Sequence, residues 1–317
     1  MTVAVTLTVI LGIMTLFGFL GAWWWFFDLF ANLRLHLAVG LLLLTLVLAM
    51  VRSWRALTAA AIGVMLNVLV VAPVLVSTQF GTPASVDAGA ETLDVTFFNT
   101  KFRADREATI AQLASREDDV VVLSLAVGDW VEHLEESRLD LHVRTGPDTD
   151  PDFELELVTL TRDPDVEVLV HRLTDDVRDA VVEIVVEHDG GPIHLLAAHP
   201  VSPVTRERAA RRDVMLAWIA DQARDRDGPV VVMGDLNATS WSAPLRTLVR
   251  EADLVDSRVG HGLQPSWPTR FGPIGLTIDH VLHSPELTTV DRQLAPPIGS
   301  SDHRMVHASF TYPDPEA

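Results

Sequence analysis

The chain has 317 residues, a formal net charge of -19 and no cysteine. The missing thiols exclude disulfide scaffolds, thiolate metal sites and cysteine nucleophiles, so any metal must be held by oxygen or imidazole. Mean hydropathy is +0.25 in spite of the charge, so apolar and acidic residues are segregated along the chain and a composite of at least two parts is expected.

Three apolar stretches open the chain, at 3–27, 35–51 and 56–76, each near the ~20 residues that a helix needs to cross a hydrocarbon core. Up to Ser77 the only formal charges are Asp28, Arg34, Arg52 and Arg55. The start carries no Lys or Arg and the apolar run is repeated, which argues against a cleaved signal peptide and for three retained spans. Arg52 and Arg55 mark the loop between spans two and three as cytoplasmic. Everything after Ser77 is then expected outside, with Trp23, Trp24 and Trp25 near the outer interface. Asn67 reads as a helix-packing residue. The other reading of these stretches, a buried core hairpin of a soluble protein, fits their length and near absence of charge poorly.

Residues 1–77 are thus expected to form an anchor and 78–92, rich in Gly, Pro, Ser and Ala, a short flexible linker. A soluble domain follows over 93–312, with a tail at 313–317. Its short β-rich runs lie at 93–98, 120–125, 155–161, 181–187, 193–198, 230–233, 278–282 and 305–310. Helical spacing appears at 106–115 and 205–223. Many strands with few helices predict two packed sheets covered by outer helices.

The strongest local signal is Gly234-Asp235-Leu236-Asn237, directly after the apolar run Val230-Val231-Val232-Met233. A buried strand ending in this way offers a carboxylate able to orient water and an amide able to donate to a phosphate oxygen. Alone it could equally be an Asx turn. Four more sets sit at expected strand ends: Asn99, His199-Pro200, Ile278-Asp279-His280 and Ser301-Asp302-His303. His194, His261, His283 and His307 match no motif and read as structural or solvent-facing.

In this order the sets resemble the endonuclease/exonuclease/phosphatase superfamily, over about 93–310. With three spans in front, the chain looks most like the bacterial membrane-anchored branch with VanJ-type proteins. The resemblance implies an α+β fold, a four-layered αββα sandwich of two mainly antiparallel sheets flanked by helices, preceded by three transmembrane helices. It also implies roles. Asp235 would orient or deprotonate the attacking water, and Asn237 would hold a phosphoryl oxygen. Asp279 would position His303 and keep it charged, and His199 would contact the phosphoryl group or protonate the leaving oxygen. Asn99 and Asp302 would contribute to a magnesium or manganese site. In-line displacement at phosphorus needs these three services: an oriented nucleophile, charge neutralisation and a stabilised leaving group.

One departure stands out. The family's second strand usually ends in a metal-binding glutamate, in a run of the form Asp-Val-Val-x-Leu-Gln-Glu. The matching run here ends in Leu123-Ser124-Leu125, and leucine cannot ligate a hard cation. Asp129 and Asp94 are the nearest acids in sequence to replace it. Three readings stay open: a phosphoesterase with a modified metal site, an impaired relative that binds a phosphate-bearing ligand, and a nuclease or other phosphodiesterase. The acidic balance disfavours nucleic acid as partner. A short tether favours a membrane lipid phosphate, such as a polyprenyl phosphate or pyrophosphate. Arg206, Arg208, Arg211 and Arg212 could face anionic head groups or form a solvated face with Glu207 pairing Arg211. Trp241 and Trp267 could line a lipid-facing mouth or fill the sandwich edge.

Overall fold

The structure, a computed structural model, describes residues 1–81, 91–126, 128–144, 156–188 and 191–311. Four helices come first: α1 (Thr2–Phe19), α2 (Trp25–Ala31), α3 (Arg34–Met50) and α4 (Trp54–Phe80). α1 and α4 are long and apolar enough to cross a membrane, and α2 with α3 makes a third such unit bent by 59°. The expected single stretch 3–27 is therefore broken. α1 stops at Phe19, and Trp24 takes an extended backbone before α2 starts. The reason lies at Asp28 in α2, whose carboxylate is buried among donors from the far half of the chain. A charge kept in an apolar span without partners would cost several kcal/mol.

Leu41, Leu48 and Ala60 form the centre of the helical bundle. Gly63 lets α4 approach α3 closely, since a Cβ there would lie 2.8 Å from Leu41 Cδ1. Asn67 acts as helix glue: its Nδ2 donates to Thr15 Oγ1 at 2.8 Å and to Gly63 O at 2.9 Å, and its Oδ1 accepts from Arg34 at 3.4 Å. Leucines such as Leu43 and Leu69 face outward, as a surface covered by lipid requires. α4 runs to Phe80, three residues into the stretch read as linker. Positions 82–90 of that linker and the tail lie outside the described residues.

The remainder is the expected sandwich. In chain order it comprises β1 (Thr92–Asn99), α5 (Arg106–Ala114), β2 (Val120–Ser124), α6 (Trp130–Glu135), β3 (His142–Arg144), β4 (Leu157–Thr161), β5 (Glu167–Arg172), β6 (Ala180–Val186) and β7 (Ile193–Ala198). Then follow α7 (Arg206–Asp225), β8 (Val230–Asp235), α8 (Ala243–Glu251), β9 (Val255–Asp256), β10 (Asp279–His283), β11 (Thr288–Leu294) and β12 (Val306–Thr311). One six-stranded sheet has the order β11-β12-β1-β2-β4-β3, and the other β5-β6-β7-β8-β10-β9. Both are mixed: among the described residues only β1–β2 and β7–β8 pair in parallel.

Alternation along the strands makes the layers. Val95, Phe97, Val120 and Val122 of one sheet meet Ile184, Leu195, Val231 and Met233 of the other. The outward residues of the first sheet, Phe98, Val121 and Leu123, are covered by Leu113 of α5 and Trp130 and Leu134 of α6. α7 and α8 cover the second sheet through Met215, Ile219, Leu245 and Leu248. The side-chain period of two gives each strand one face for the central core and one for its helices.

The sandwich sits directly on the helical bundle. Ser77 O and Thr78 O at the end of α4 accept from Gly260 N at 3.0 Å and Gly262 N at 2.7 Å. His36 Nε2 lies 2.7 Å from Ile274 O.

Candidate active site

The expected site residues come together at one edge of the sandwich, and the strand register explains how. Parallel pairing of β7 with β8 sets Ala198 beside Gly234, so His199 leaves its strand next to Asp235. Antiparallel pairing of β10 with β8 sets Asp279 opposite Asp235. Asn99 ends β1 in the facing sheet, where its carbonyl accepts from Ser301 Oγ at 2.8 Å and so ties the 301–303 turn to the strand.

Around Asp235 the side chains converge. Asn99 Nδ2 donates to Asp235 Oδ2 at 2.9 Å. His199 Nε2 and His303 Nε2 lie 3.6 and 3.7 Å from the same oxygen. The other carboxylate oxygen accepts from Asn237 N at 3.1 Å, closing an Asx turn with Asn237 at φ 50°. Asn237 Nδ2 donates one proton to Pro200 O at 2.9 Å and keeps the other. His303 Nδ1 donates to both oxygens of Asp279, at 3.1 and 3.0 Å.

Burial alone would discharge His303, but the carboxylates of Asp279 and Asp235 outweigh it and raise the imidazole to about 9. His303 is therefore a cation at neutral pH. Asp235 shows the converse balance: burial opposes its charge, yet His303 and His199 hold its carboxyl below the usual range. Asp279 is pushed up by burial, only partly offset by His303. Ligand-type atoms of Asp235, Asp279 and His303 lie within 4.8 Å of one another, but an imidazolium cannot ligate a cation, so this trio reads as an ion-paired network.

Of the two residues expected at a metal, Asp302 accepts from Trp267 Nε1 at 3.0 Å through Oδ2, and its Oδ1 is buried without a hydrogen-bond partner among the described residues. Asn99 turns its amide nitrogen to Asp235 while its Oδ1 accepts from Lys101 N at 2.9 Å.

Leu125 lines the cavity in a left-handed backbone conformation, φ 55°. Neither acid named for its place stands there. Asp129 pairs with Arg106 and His133 beside α6, and Asp94 lies at the opposite end of β1, 3.4 Å from His307. The carboxylate that lines the cavity next to Leu125 is Glu156, just before β4, whose carbonyl accepts from Leu125 N at 2.7 Å. Burial raises its pKa, against the pull of His199 and Arg178. Antiparallel pairing of β2 with β4 brings it beside Leu125, a proximity invisible in the one-dimensional run.

The cavity measures about 520 Å³. Besides His199, Asp235, Asn237, His303, Leu125 and Glu156 it is lined by Lys101, Arg178, Arg208 and Trp267, and by Leu29, Asn32 and Leu33 of the N-terminal part. Of the four arginines opening α7, only Arg208 reaches it. Arg211 pairs with Asp176 and Asp179 rather than Glu207, and Arg212 is buried on Asp28. Trp241 instead lines a cleft with Pro73 and Val74 of α4.

Oxygens of Asp235, Asp302, Asn99 and Glu156, with no sulfur donor, suit a hard cation such as magnesium or manganese in chemical kind.

Comparison with known proteins gives a consistent picture. The sequence profile described as "Endonuclease/Exonuclease/phosphatase family" matches residues 98–303. No curated protein matches the chain. Among solved structures, TDP2 of D. rerio complexed with single strand DNA product superposes with a TM-score of 0.55 at 17% identity, covering 70% of this chain and 99% of that one. An endonuclease/exonuclease/phosphatase from Bacteroides vulgatus gives 0.55 at 14% identity, over 70% and 99%. One from Beutenbergia cavernae gives 0.52 at 18%, over 70% and 72%.

Proposed function

Because the chain belongs to the endonuclease/exonuclease/phosphatase family, we propose that it is a membrane-tethered, metal-dependent hydrolase of a phosphate or pyrophosphate ester, acting outside the membrane on an envelope lipid of the polyprenyl type. We place it with the membrane-anchored VanJ-type branch. The observation that carries the chemistry is the convergence of His199, His303 and Asn99 on the Asp235 carboxylate at the cavity wall. The two to three apolar helices packed against that domain favour a lipid over a soluble ester.

In this reading Asp235, kept ionised beside the His303 imidazolium, orients the attacking water and accepts its proton. His303, held by Asp279, places a positive charge beside the phosphoryl oxygens, and Asn237 donates its free amide proton to one of them. His199 protonates the leaving oxygen. Asn99 and Asp302, with Glu156 in place of the carboxylate that Leu125 lacks, would hold magnesium or manganese, which when bound neutralises phosphoryl charge.

Leu125 favours a second reading, a family member that binds a phosphate-bearing ligand without cleaving it. Phosphate release from a polyprenyl pyrophosphate by full-length protein in detergent, with and without magnesium or manganese, separates the two. The first reading expects metal-dependent release that falls at least a hundredfold, ~10²-fold, in His199→Ala. No release from this or a panel of soluble esters, with activity appearing in Leu125→Glu, would establish the second.

A further inference from the structure

α2 belongs to the membrane part of the sequence but borders the cavity. Asp28 is 1% exposed. Its Oδ1 accepts from Ala243 N at 2.8 Å, and its Oδ2 from Ser242 Oγ at 2.8 Å and Arg212 at 3.2 Å. One turn on, Asn32 Oδ1 accepts from Thr239 N at 2.8 Å. Thr239, Ser242 and Ala243 belong to the segment that runs from Asn237 into α8. Arg212, itself 1% exposed, closes the circuit by donating to Asn237 O at 3.3 Å. Polar bonds spanning some two hundred positions of sequence thus fix this short helix against the loop that carries Asn237.

The consequence is a cavity with two characters. Asp28 and Asn32 are four apart and share one side of the helical segment, which is bound to the loop. Leu29 and Leu33, each next in sequence, line the cavity, as does Asn32 itself. The same space is lined by Asp235, Asn237, His199 and His303. An apolar wall supplied by a membrane helix, next to groups suited to a phosphoryl centre, matches a ligand whose phosphate is esterified to a hydrocarbon chain arriving from the bilayer.

We propose that the segment from α2 to the start of α3 is a substrate-binding element: Leu29 and Leu33 seat the tail carbons nearest the phosphate of a membrane lipid, and Asp28 and Asn32 are positioning residues that hold this seat against the Asn237 loop. The inference rests on reading the cavity as a phosphoester site. It goes further in making the anchor part of that site rather than only a tether. Each methylene that leaves water for such a wall strengthens binding by about fourfold.

The test uses full-length protein in detergent micelles and phosphate monoesters with linear tails of about two to about twelve carbons, a span over which the wall should fill. In the wild type kcat/KM climbs with tail length. In Leu29→Ser/Leu33→Ser the climb flattens, leaving the longest ester about tenfold worse, a loss carried by KM. Asn32→Ala lowers kcat per folded molecule, with the folded fraction fixed by circular dichroism, at every tail length without changing the slope; general destabilisation lowers the folded fraction and leaves that corrected kcat alone. In parallel, a lipid phosphate with a diazirine on its first tail carbons labels residues 25–33, and the same tail ending in a hydroxyl labels them several-fold less. Labelling needs no bond cleavage, so a protein that cleaves no ester defeats the catalytic reading while the label still decides the seat. Equal slopes in wild type and double variant, or label confined to other segments, overturns the proposal.

Discussion

At Gly234 the backbone has φ +155°, and an added Cβ would stand 1.9 Å from Ala198 O. That contact is between two paired strands, one carrying Asp235 and the other leading to His199, so neither can yield without moving the site. Gly234→Ala is expected to cost about 3 kcal/mol or more, read as a lowered midpoint in denaturant, with activity lost alongside. The His303–Asp279 pair makes a pH-dependent contribution. Its imidazole is raised from 6.5 to about 9 in the folded protein, burial being outweighed by the carboxylates. The stabilisation is therefore complete below pH 6.5 and is lost as pH rises through about 9. Unfolding measured at about pH 6 and about pH 10 should show wild type losing its advantage over Asp279→Asn at the higher value. The alkaline limb of kcat/KM should move to lower pH in the same variant.

Short and edge elements carry less sequence signal than central ones, and this decided how much could be read beforehand. The long apolar runs of β1, β2, β7 and β8 were legible because both faces are buried. β5 and β11 are edge strands with half-open faces and charged residues, and β3 and β9 have three and two residues, so none formed a run. α8 does carry a start signal, with Ser242 before it, Pro244 in its first turn, and Leu245 and Leu248 on one face. α6 has six residues and little periodicity, but its Trp130 is 2% exposed beneath the first sheet. Trp130→Ala should cost about 3–5 kcal/mol, visible as a drop in melting temperature. Within the site, the side chains at strand ends could be listed from sequence. Glu156 could not, because it meets Leu125 through pairing of β2 with β4. Asp28 and Asn32 were hidden for a stronger reason, since nothing local in an apolar stretch announces a partner near position 240.

For the whole molecule, the turn with Arg52 and the start of α4 with Arg55 lie at the bundle end away from the contacts with the sandwich. The proposed function requires this end of the bundle to be cytoplasmic and the sandwich to lie on the outer side. The lack of native cysteine makes this directly measurable. In intact cells a membrane-impermeant maleimide should label Asp225→Cys, on the exposed end of α7, and should reach Ser53→Cys only after permeabilisation; the reverse pattern would invert the topology.

The bonds from Ser77 and Thr78 to Gly260 and Gly262, from His36 to Ile274, and from Asp28 to α8 are spread across the underside of the sandwich. A body fastened at several separated points cannot swivel, so its cleft keeps one attitude towards the bilayer while the protein diffuses. For the lipid substrate proposed above, encounters would then be confined to two dimensions. The rate should follow the mole fraction of substrate in the leaflet, and diluting the bilayer with inert lipid should slow turnover even when the amount of substrate per volume of suspension is unchanged.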